Sequence, residues 1–582
     1  MRKSLYFISL LHIFSLSILF TACTSHPDVP YNAKAVASLP AIYPDYCDVT
    51  VPCNIAPLNF MLADTAYTDC VARITTPDGN SETYGDGRKV IIPESEWQDV
   101  LNASRGKDVA VEVWSRKGDE WLQFKKFNIT VSADSIDGYL SYRLIEPSYL
   151  IYDYMEIAQR NLTNFDETVI FNNKIACEGV KGQCINCHSY QNFHTDNMLF
   201  HVRANRGGTV LVNDGSISKI DLKRDYTISA GVYPAWHPTE KLIAFSTNTT
   251  RQLFHTANPN KTEVFDLASD LVLYDVTKDE VYVVAADTTR LEVFPTWSPD
   301  GNYLYYCSTL SDTTTVRMHT KYKNIHYNLY RRTFNAQTLQ FGDEELIYDA
   351  ASIGHSVSLP RISPDGQHII FAEGAYGCFQ IWHHDADITM IDVPKTPLSI
   401  AKGTAFTAKA AAPDAITAAP DAITAATNVK AASTPDAVTA ATTQMSSSSP
   451  EASGSSPAGK ASTAQASGSS HAGKAATTQA SGSSPAGKGP LALLNSKNYA
   501  DSYPTWSSNG KWIMCASRRD DGNYSRVYIA YFDGKRACKP FLLPQADPEH
   551  NSLRLKSYNR PEFMVEPVKH SIQDFQQAVI KE

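Results

Sequence analysis

The sequence predicts a mainly β protein, in which a β-propeller of five, or alternatively six, blades follows an N-terminal immunoglobulin-like β-sandwich. Three observations support this fold class. One motif recurs about every 60 residues in the second part of the chain. Short runs of alternating apolar and polar residues fill the first part. The 30 Tyr, 23 Phe and 8 Trp favour strands, and 582 residues are enough for more than one domain.

Four clear copies of the motif define the propeller. Each has an anchor that is an aromatic residue or Ile, a Pro-Asp-Gly turn or its equivalent, and a β run at the same offset; the copies begin at Tyr233, Phe294, Leu359 and Tyr503. One such unit cannot bury both faces of its sheet, so the copies must stack around an axis. With 198–202 as the β run of a degenerate first blade, the copies favour five blades. Six follow if residues 540–582 or the segment before residue 184 add strands.

The repeat resembles that of TolB-type, WD40-like β-propellers. The resemblance covers about residues 185–392 and 490–545. It implies that the motif elements lie near a central axis and that the propeller is an interaction module of a cell envelope. An ordinary β-sandwich would not explain a fixed motif recurring at this spacing.

Residues 39–138 are predicted to form the β-sandwich domain. The runs 71–75, 109–114 and 127–131 alternate, and Pro93 begins a short helix that ends before Gly106. No chemical constellation is visible here, so we expect a spacer or docking module. Cys47 and Cys53 are close enough in sequence to pair, but sequence alone does not assign disulfides.

The pentapeptide Cys184-Ile185-Asn186-Cys187-His188 reads C-x-x-C-H, the attachment signature of a c-type haem. The two thiols can each add to one vinyl group of a porphyrin, and His188 is then placed to bind the iron. A structural zinc site would need a second pair of ligands, and a thioredoxin-like pair would need a βαβ setting. We therefore expect one covalent haem c on Cys184 and Cys187, with His188 as the proximal iron ligand.

The second axial ligand has two candidates, Met198 first and His201 second, with His194 also near in sequence. Within a strand Met198 and His201 point to opposite faces, so both cannot serve. Met would raise the reduction potential and a second His would lower it. Met198 as an ordinary core residue is the alternative, and an open site would permit ligand or peroxide chemistry.

The N-terminus has the pattern of an export signal. Arg2 and Lys3 precede an apolar run over 4–20, and Thr21-Ala22-Cys23 resembles a bacterial lipobox, although Phe20 departs from the more usual Leu. We expect residues 1–22 to be removed and Cys23 to be lipidated. An ordinary signal peptide with an incidental Cys is the alternative, and the run is short for a transmembrane helix.

The remaining boundaries follow from composition. A tether covers 23–38, a packed connector with a possible helix near 154–161 covers 139–183, and the haem motif with the first part of the propeller covers 184–399. Residues 400–490 repeat Pro-Asp-Ala-Ile-Thr and Ala-Ser-Gly-Ser-Ser units and are expected to be a disordered low-complexity insertion. The last blade covers 491–545 and a C-terminal tail covers 546–582.

These features favour an envelope-anchored monohaem cytochrome that transfers electrons. We expect it at the outer membrane facing the periplasm, since no acidic stretch follows Cys23, with the cell surface as the alternative. Its expected partners are the membrane, the c-type haem maturation machinery and an unidentified redox or envelope protein. The net charge of −9 argues against nucleic acid.

Two other functions compete with electron transfer. The propeller could be a protein- or glycan-binding scaffold in envelope assembly, with a structural or sensory haem. An enzyme is least favoured, because no G-x-S-x-G elbow or convincing carboxylate pair is present, and a peroxidase would need an open iron face with an acid–base group.

Overall fold

The computed structural model describes residues 26–147, 153–174, 184–203, 206–310, 321–396 and 489–581. The predictions for the signal segment, for Cys23 and for nearly all of the 400–490 insertion lie outside these ranges. Within them, no helix is long and apolar enough to cross a membrane.

The first part of the chain forms two sheets and a helix. Its elements are β1 (Lys34–Ala35), β2 (Ile42–Tyr43), β3 (Thr50–Val51), β4 (Phe60–Leu62), β5 (Asp69–Thr75), β6 (Ser81–Tyr84), β7 (Lys89–Val90), α1 (Glu94–Ser104), β8 (Lys107–Lys117), β9 (Glu120–Gln123) and β10 (Phe127–Val131). The larger sheet has the order β1-β9-β8-β10-β3, with β5 on β8 and β6 on β5; the smaller has the order β2-β4-β7. The immunoglobulin-like topology stays a prediction.

Alternation and helical spacing build the core of this domain. Val109, Val111 and Val113 of β8 are buried at every second position, as expected for one face of a strand. The predicted helix is confirmed: α1 begins after Pro93 and ends before Gly106. Its Trp97 lies on the buried face and donates from Nε1 to the Ile55 carbonyl at 3.0 Å.

The prediction of a free tether over 23–38 is wrong for its described part. Lys34 and Ala35 pair in parallel with β9. His26 lies with Nδ1 2.9 Å from the Thr83 carbonyl. Backbone and side-chain hydrogen bonds therefore hold residues 26–38 against the domain, because strand β9 has an edge that the segment can complete.

The second part of the chain is a ring of sheets. Its elements are β11 (Tyr139–Ile145), β12 (Met155–Asn161), β13 (Glu167–Asn172), β14 (Ile185–Gln191), β15 (His194–Val202), β16 (Gly208–Asn213), β17 (Ser216–Ile220), β18 (Gly231–Trp236), β19 (Leu242–Phe254), β20 (Thr262–Asp275), β21 (Glu280–Ala285), β22 (Arg290–Trp297), β23 (Tyr303–Leu310), β24 (Asn328–Asn335), β25 (Gln340–Tyr348), β26 (Ser356–Ile362), β27 (His368–Gly374), β28 (Asp387–Asp392), β29 (Asp501–Trp506), β30 (Trp512–Ser517), β31 (Arg526–Tyr531), β32 (Phe541–Leu542), α2 (His550–Leu553), β33 (Ser557–Met564) and α3 (Ile572–Ile580), with 3₁₀ turns at Tyr322–Asn324 and Ala351–Ile353.

Within the described residues these strands group into six antiparallel blades. Blades 1 to 5 are β14–β17, β18–β21, β22–β25, β26–β28 and β29–β32, and blade 6 has the order β33-β11-β12-β13. One parallel pair, Ser269 with Leu291, joins blades 2 and 3. Each inner strand contacts the next, from β14 through β18, β22, β26, β29 and β33 back to β14. The fold is therefore a closed β-propeller.

Two boundaries drawn from the sequence are corrected by blade 6. The predicted connector supplies its three outer strands, and the predicted tail supplies its inner strand β33. The helix expected near 154–161 is wrong, since this segment is strand β12, held by ladders to β11 and β13. These two neighbouring ladders override the local helical pattern, and the pairing of β11 with β33, about 400 positions later, closes the ring.

In the sequence, the low-complexity segment follows blade 4 and precedes blade 5. The side-chain amide of Asn495 accepts from the Ile388 backbone N–H at 2.8 Å and donates to its carbonyl at 2.9 Å, so it completes the outer edge of β28.

Blade 5 packs on the N-terminal domain, where Trp512 donates from Nε1 to the Ser135 carbonyl at 3.0 Å. The N-terminal domain and blades 5 and 6 share one apolar core.

Candidate haem site and the adjoining cavity

The C-x-x-C-H motif lies on the inner strand of blade 1, at a β-bulge that all six inner strands share. In the other five blades the bulge is an X-Pro pair whose first residue has positive φ: 51° at Tyr233, 56° at Phe294, 55° at Leu359, 49° at Tyr503 and 51° at Arg560. In blade 1 the equivalent residue is Cys187, with φ 58°. Proline suits this position because the interrupted ladder needs no N–H there.

His188 takes the place of the proline in blade 1. Its side chain is 0% exposed. The backbone of Arg560 lies near the ring, but neither ring nitrogen makes a hydrogen bond of normal geometry. Burial, together with the Arg560 and Arg143 guanidinium groups, lowers the pKa of His188 well below its usual range. The ring is therefore a neutral imidazole, the form that can donate a lone pair to a metal.

The two thiols of the motif are both buried, Cys184 at 8% and Cys187 at 4% exposure. Burial raises the pKa of the Cys184 thiol. Arg143 lies beside Cys184, with Nη1 4.0 Å from its Sγ and 3.3 Å from the Ile185 carbonyl. Cys184 immediately precedes strand β14 at one mouth of the propeller, whereas Cys187 and His188 lie further along the strand.

A cavity of about 610 Å³ opens at that mouth beside Cys184. Its walls come from blades 1, 2 and 6 and from the loops of blades 4 and 5. The long β19–β20 hairpin forms one side through Thr250, Gln252, Thr262 and Val264. Blade 1 contributes Cys184, Asn186 and His201 to the cavity wall. Cys187 and His188 of the same blade do not line the cavity.

The two distal-ligand candidates occupy different environments, as the strand parity predicts. Met198 is 0% exposed and packs in the apolar cluster between blades 1 and 6, with Phe200 and Cys184. His201 lines the cavity, and its Nδ1 lies 3.1 Å from Thr209 Oγ1. Burial lowers the pKa of His201 to about 3, so this imidazole is neutral as well. His194 is exposed beside Glu566.

The donor types at this position, two thiols and an imidazole, are those that a c-type haem uses. Neither ring nitrogen of His188 has a hydrogen bond of normal geometry to a described residue, and a cavity adjoins the first thiol. Burying a polar group without a partner costs about 1–3 kcal/mol, so the unpaired His188 ring is unusual unless something binds it. Because His188 is not on the cavity wall, iron binding through it requires its ring or the adjoining wall to move.

Sequence reasoning missed three residues of the cavity. Arg143 comes from blade 6, and Trp382 and Arg518 come from loops of blades 4 and 5. None belongs to a motif, and only ring closure brings them to Cys184. In the described ranges, no group of three or more His, Cys, Asp or Glu side chains is placed to hold a metal ion.

The comparisons with known proteins give the chain no family. No protein-family model matches it, and no curated protein sequence does. Among solved structures, it is similar to the β-propeller domain of the Trilobed protease from Pyrococcus furiosus, at 7% identity over 62% of this chain and 97% of that chain, with a TM-score of 0.23. The β-propeller domain of Cps50 (Swd1) from Myceliophteria thermophila matches at 9% identity over 62% and 85%, with a TM-score of 0.23.

A third similar structure is an oligogalacturonate lyase in complex with manganese. The identity is 12%, the TM-score is 0.23, and the match covers 42% of this chain and 55% of the lyase chain. This chain thus spans about half the length of that protein. At these values the three structures say nothing about activity.

Proposed function

We propose that the protein is an envelope-anchored monohaem c-type cytochrome, built on a TolB-like propeller, that transfers electrons. The observation that carries the proposal is the C-x-x-C-H motif at the bulge of blade 1. There a buried His188, whose ring makes no hydrogen bond of normal geometry to a described residue, replaces the proline of the other five blades. A scaffold with no bound group would gain nothing from this replacement, because it leaves a polar ring unpaired in the core.

Cys184 and Cys187 would hold the porphyrin through thioether bonds, and His188 would bind the iron. A bound haem c supplies a one-electron couple, whose potential depends on the axial ligands and on burial. The chain contributes a neutral imidazole at His188, and its deep position keeps water away from that ligand. For the opposite side of the iron, the cavity position supports His201, while the apolar packing of Met198 supports its being a core residue.

The anchor and the location belong to the same proposal. Lipidation at Cys23 would hold the chain on the outer membrane facing the periplasm, where c-type haem attachment is completed. The cell surface is the alternative location. The partners would then be the membrane, the haem maturation machinery and a redox protein of the envelope.

A spectroelectrochemical titration tests electron transfer. Protein matured with c-type haem machinery should be reduced and reoxidised reversibly in a single one-electron step. A haem that mild reductants do not reduce, or that does not return to its oxidised spectrum, would remove electron transfer and leave a structural or sensory haem.

A protein- or glycan-binding scaffold is the second candidate. The shared core of the N-terminal domain and blades 5 and 6 favours it, since it makes both parts one rigid platform. Cross-linking in intact cells separates the two functions. A stoichiometric partner captured equally by the parent and by the Cys184→Ala, Cys187→Ala variant would favour the scaffold, whereas capture that depends on the haem would favour electron transfer.

A further inference from the structure

Among the described residues, the lining of the cavity beside Cys184 has more cationic than anionic side chains. Its described lining contains four cationic side chains, Arg143, Arg203, Lys223 and Arg518, and two anionic ones, Glu146 and Asp221. Two of the arginines lack an ion-pair partner altogether in the part of the chain that the structure describes. Arginine stays protonated in proteins, so these charges must be balanced by something else.

Arg518 is the more buried of the two, at 3% exposure. Its Nε donates to the Ile381 carbonyl at 2.8 Å, and its Nη1 donates to the Asn523 carbonyl. No hydrogen bond from Nη2 to a described residue is present, and no carboxylate of a described residue lies within ion-pair distance of the guanidinium. The guanidinium carbon lies 3.3 Å from the centre of the Trp382 ring. Burial lowers the pKa of Arg518 to about 9, which shows how poorly this charge is compensated.

Arg143 faces the same cavity from blade 6. Its Nη1 donates to the Ile185 carbonyl at 3.3 Å and its Nη2 to Asn559 Oδ1 at 3.0 Å, both neutral acceptors. Its Nε is buried without a partner. A charge that is shielded from water and has no counter-charge is unfavourable, so two such residues at one cavity mark a site for an anion.

We propose that this cavity is a carboxylate-binding site, in which Arg518 and Arg143 pair with one or two carboxylates of a ligand whose flat body packs against Trp382. Arginine pairs with carboxylates through two parallel hydrogen bonds, which suits an already oriented guanidinium. Arg518 and Arg143, which have no ion-pair partner among the described residues, match the charge of a mono- or dicarboxylate better than that of a polyphosphate. Phe379, Ile381 and Trp382 supply apolar surface for the rest of the ligand.

Carboxylates of two origins fit this chemistry. One is a propionate of a haem attached at Cys184, which lines the same cavity, and in this form the inference rests on the proposed function. The other is a free carboxylate, such as that of a uronate sugar. Both predict the same dependence on Arg518, and they differ in whether an attached haem blocks the site.

The first arm of the test uses the full chain made without haem maturation machinery. Calorimetric titration at fixed ionic strength compares D-glucuronate with D-glucose, and iron protoporphyrin with its dimethyl ester. At least one of the carboxylates should bind at least tenfold more tightly than its uncharged counterpart. Arg518→Met should weaken this binding at least tenfold. Arg105→Met is the matched control, since Arg105 also donates only to a backbone carbonyl but is exposed on the N-terminal domain.

The second arm repeats the glucuronate titration with haem-loaded protein and measures the reduction potential of the parent and of Arg518→Met. Loss of glucuronate binding on haem loading, with a potential shifted by Arg518→Met, assigns the site to a propionate. Retained glucuronate binding assigns it to a free ligand. Either outcome supports the carboxylate site.

The site is overturned if Arg518→Met changes neither carboxylate binding nor the potential, or if Arg105→Met weakens binding as much. Thermal unfolding of both variants shows whether they are folded. Should Arg518→Met fail to fold, Trp382→Leu replaces it, and unchanged carboxylate binding in that variant overturns the site. A chain that acquires no covalent haem contradicts the proposed function alone, because the first arm needs none.

Discussion

At the scale of single residues, His188 is the position where the fold favours proline but the proposed function requires an imidazole. Five of the six bulges place proline there, and blade 1 places a buried imidazole. In protein made without haem, we expect His188→Pro to keep the free energy of unfolding within about 1 kcal/mol of the parent, or to raise it. Proline restricts the unfolded chain and removes the unpaired ring. Urea unfolding followed by circular dichroism measures this.

The same variant matured with haem should lose the low-spin spectrum of the parent while keeping its thioether bonds. The control is His194→Ala. Because His194 is exposed on strand β15, this change should leave both the stability and the spectrum unaltered. A fall in stability of more than about 2 kcal/mol for haem-free His188→Pro would mean that the imidazole has a structural role.

Glu292 makes a residue-scale prediction about pH. It is 2% exposed, its Oε2 has no hydrogen-bond partner, and burial raises its pKa to about 8. The folded state therefore holds a proton that the unfolded state releases above its ordinary pKa of 4.5. This contribution to stability is complete below that pKa and is lost as pH rises through about 8.

Glu292→Gln should accordingly flatten the fall in the free energy of unfolding between pH 5 and pH 8, at most about 1.4 kcal/mol per pH unit from this group. Urea midpoints at several pH values measure the slope. Glu240→Gln, on the exposed turn of blade 2, is the control. Equal slopes in parent and Glu292→Gln would mean that Glu292 is ionised in the folded protein.

At the scale of elements, the repeated turn of blades 3, 4 and 5 is set by a glycine in the left-handed region. Gly301 and Gly366 have φ of 72° and 71°. An added Cβ at Gly366 would meet nothing closer than Pro299 Cδ at 3.9 Å, whereas at Gly301 it would lie 2.4 Å from the His237 ring. We expect Gly366→Ala to cost about 1–2 kcal/mol and Gly301→Ala clearly more.

Thermal and urea unfolding of the two alanine variants, side by side, check this order. The comparison is matched, because the backbone strain is the same and only the contact differs. Equal losses would mean that the His237 ring moves aside at no cost, which would weaken the view that neighbouring blades are tightly packed at this turn.

The element scale also shows why the sequence favoured five blades and left the sixth only as an alternative. In each of blades 2 to 5, the X-Pro pair and the turn that follows it lie within one continuous stretch of sequence. Their repeat can therefore be recognised in the sequence. Blade 6 combines β33 with strands some 400 positions earlier. Its only trace of the motif is Arg560-Pro561, and no local pattern links it to β11. The Cys187 bulge was also invisible, because His188 stands where the proline would be.

At the scale of the whole molecule, ring closure depends on strand β33. It pairs with β11 from Tyr139 to Ile145 and contacts blades 1 and 5. A chain ending at Lys556 lacks it, and should lose cooperative unfolding, since blade 6 then has no inner strand. A chain ending at His570 keeps β33 and loses only α3, so it should unfold cooperatively at a lower midpoint. Calorimetry distinguishes the two, and cooperative unfolding of the shorter chain would contradict closure through β33.

At this scale too, only the local part of the candidate site could be predicted from the sequence. The sequence predicts Cys184, Cys187 and His188 as one motif, because their chemistry is local. The cavity beside Cys184 is assembled from several blades, and its Arg143, Trp382 and Arg518 lie far apart in sequence. Such a site forms only when the ring of blades closes, so no local sequence pattern predicts it.

The measurement that tests the central claim most directly is a pyridine haemochrome spectrum, combined with peptide mass spectrometry, of the protein matured in cells with c-type haem machinery. One haem per chain, carried by the peptide that contains Cys184 and Cys187 and absent from the Cys184→Ala, Cys187→Ala variant, is the predicted result. A parent protein without covalent haem would contradict the account, and a lipid-anchored binding propeller would become the leading function.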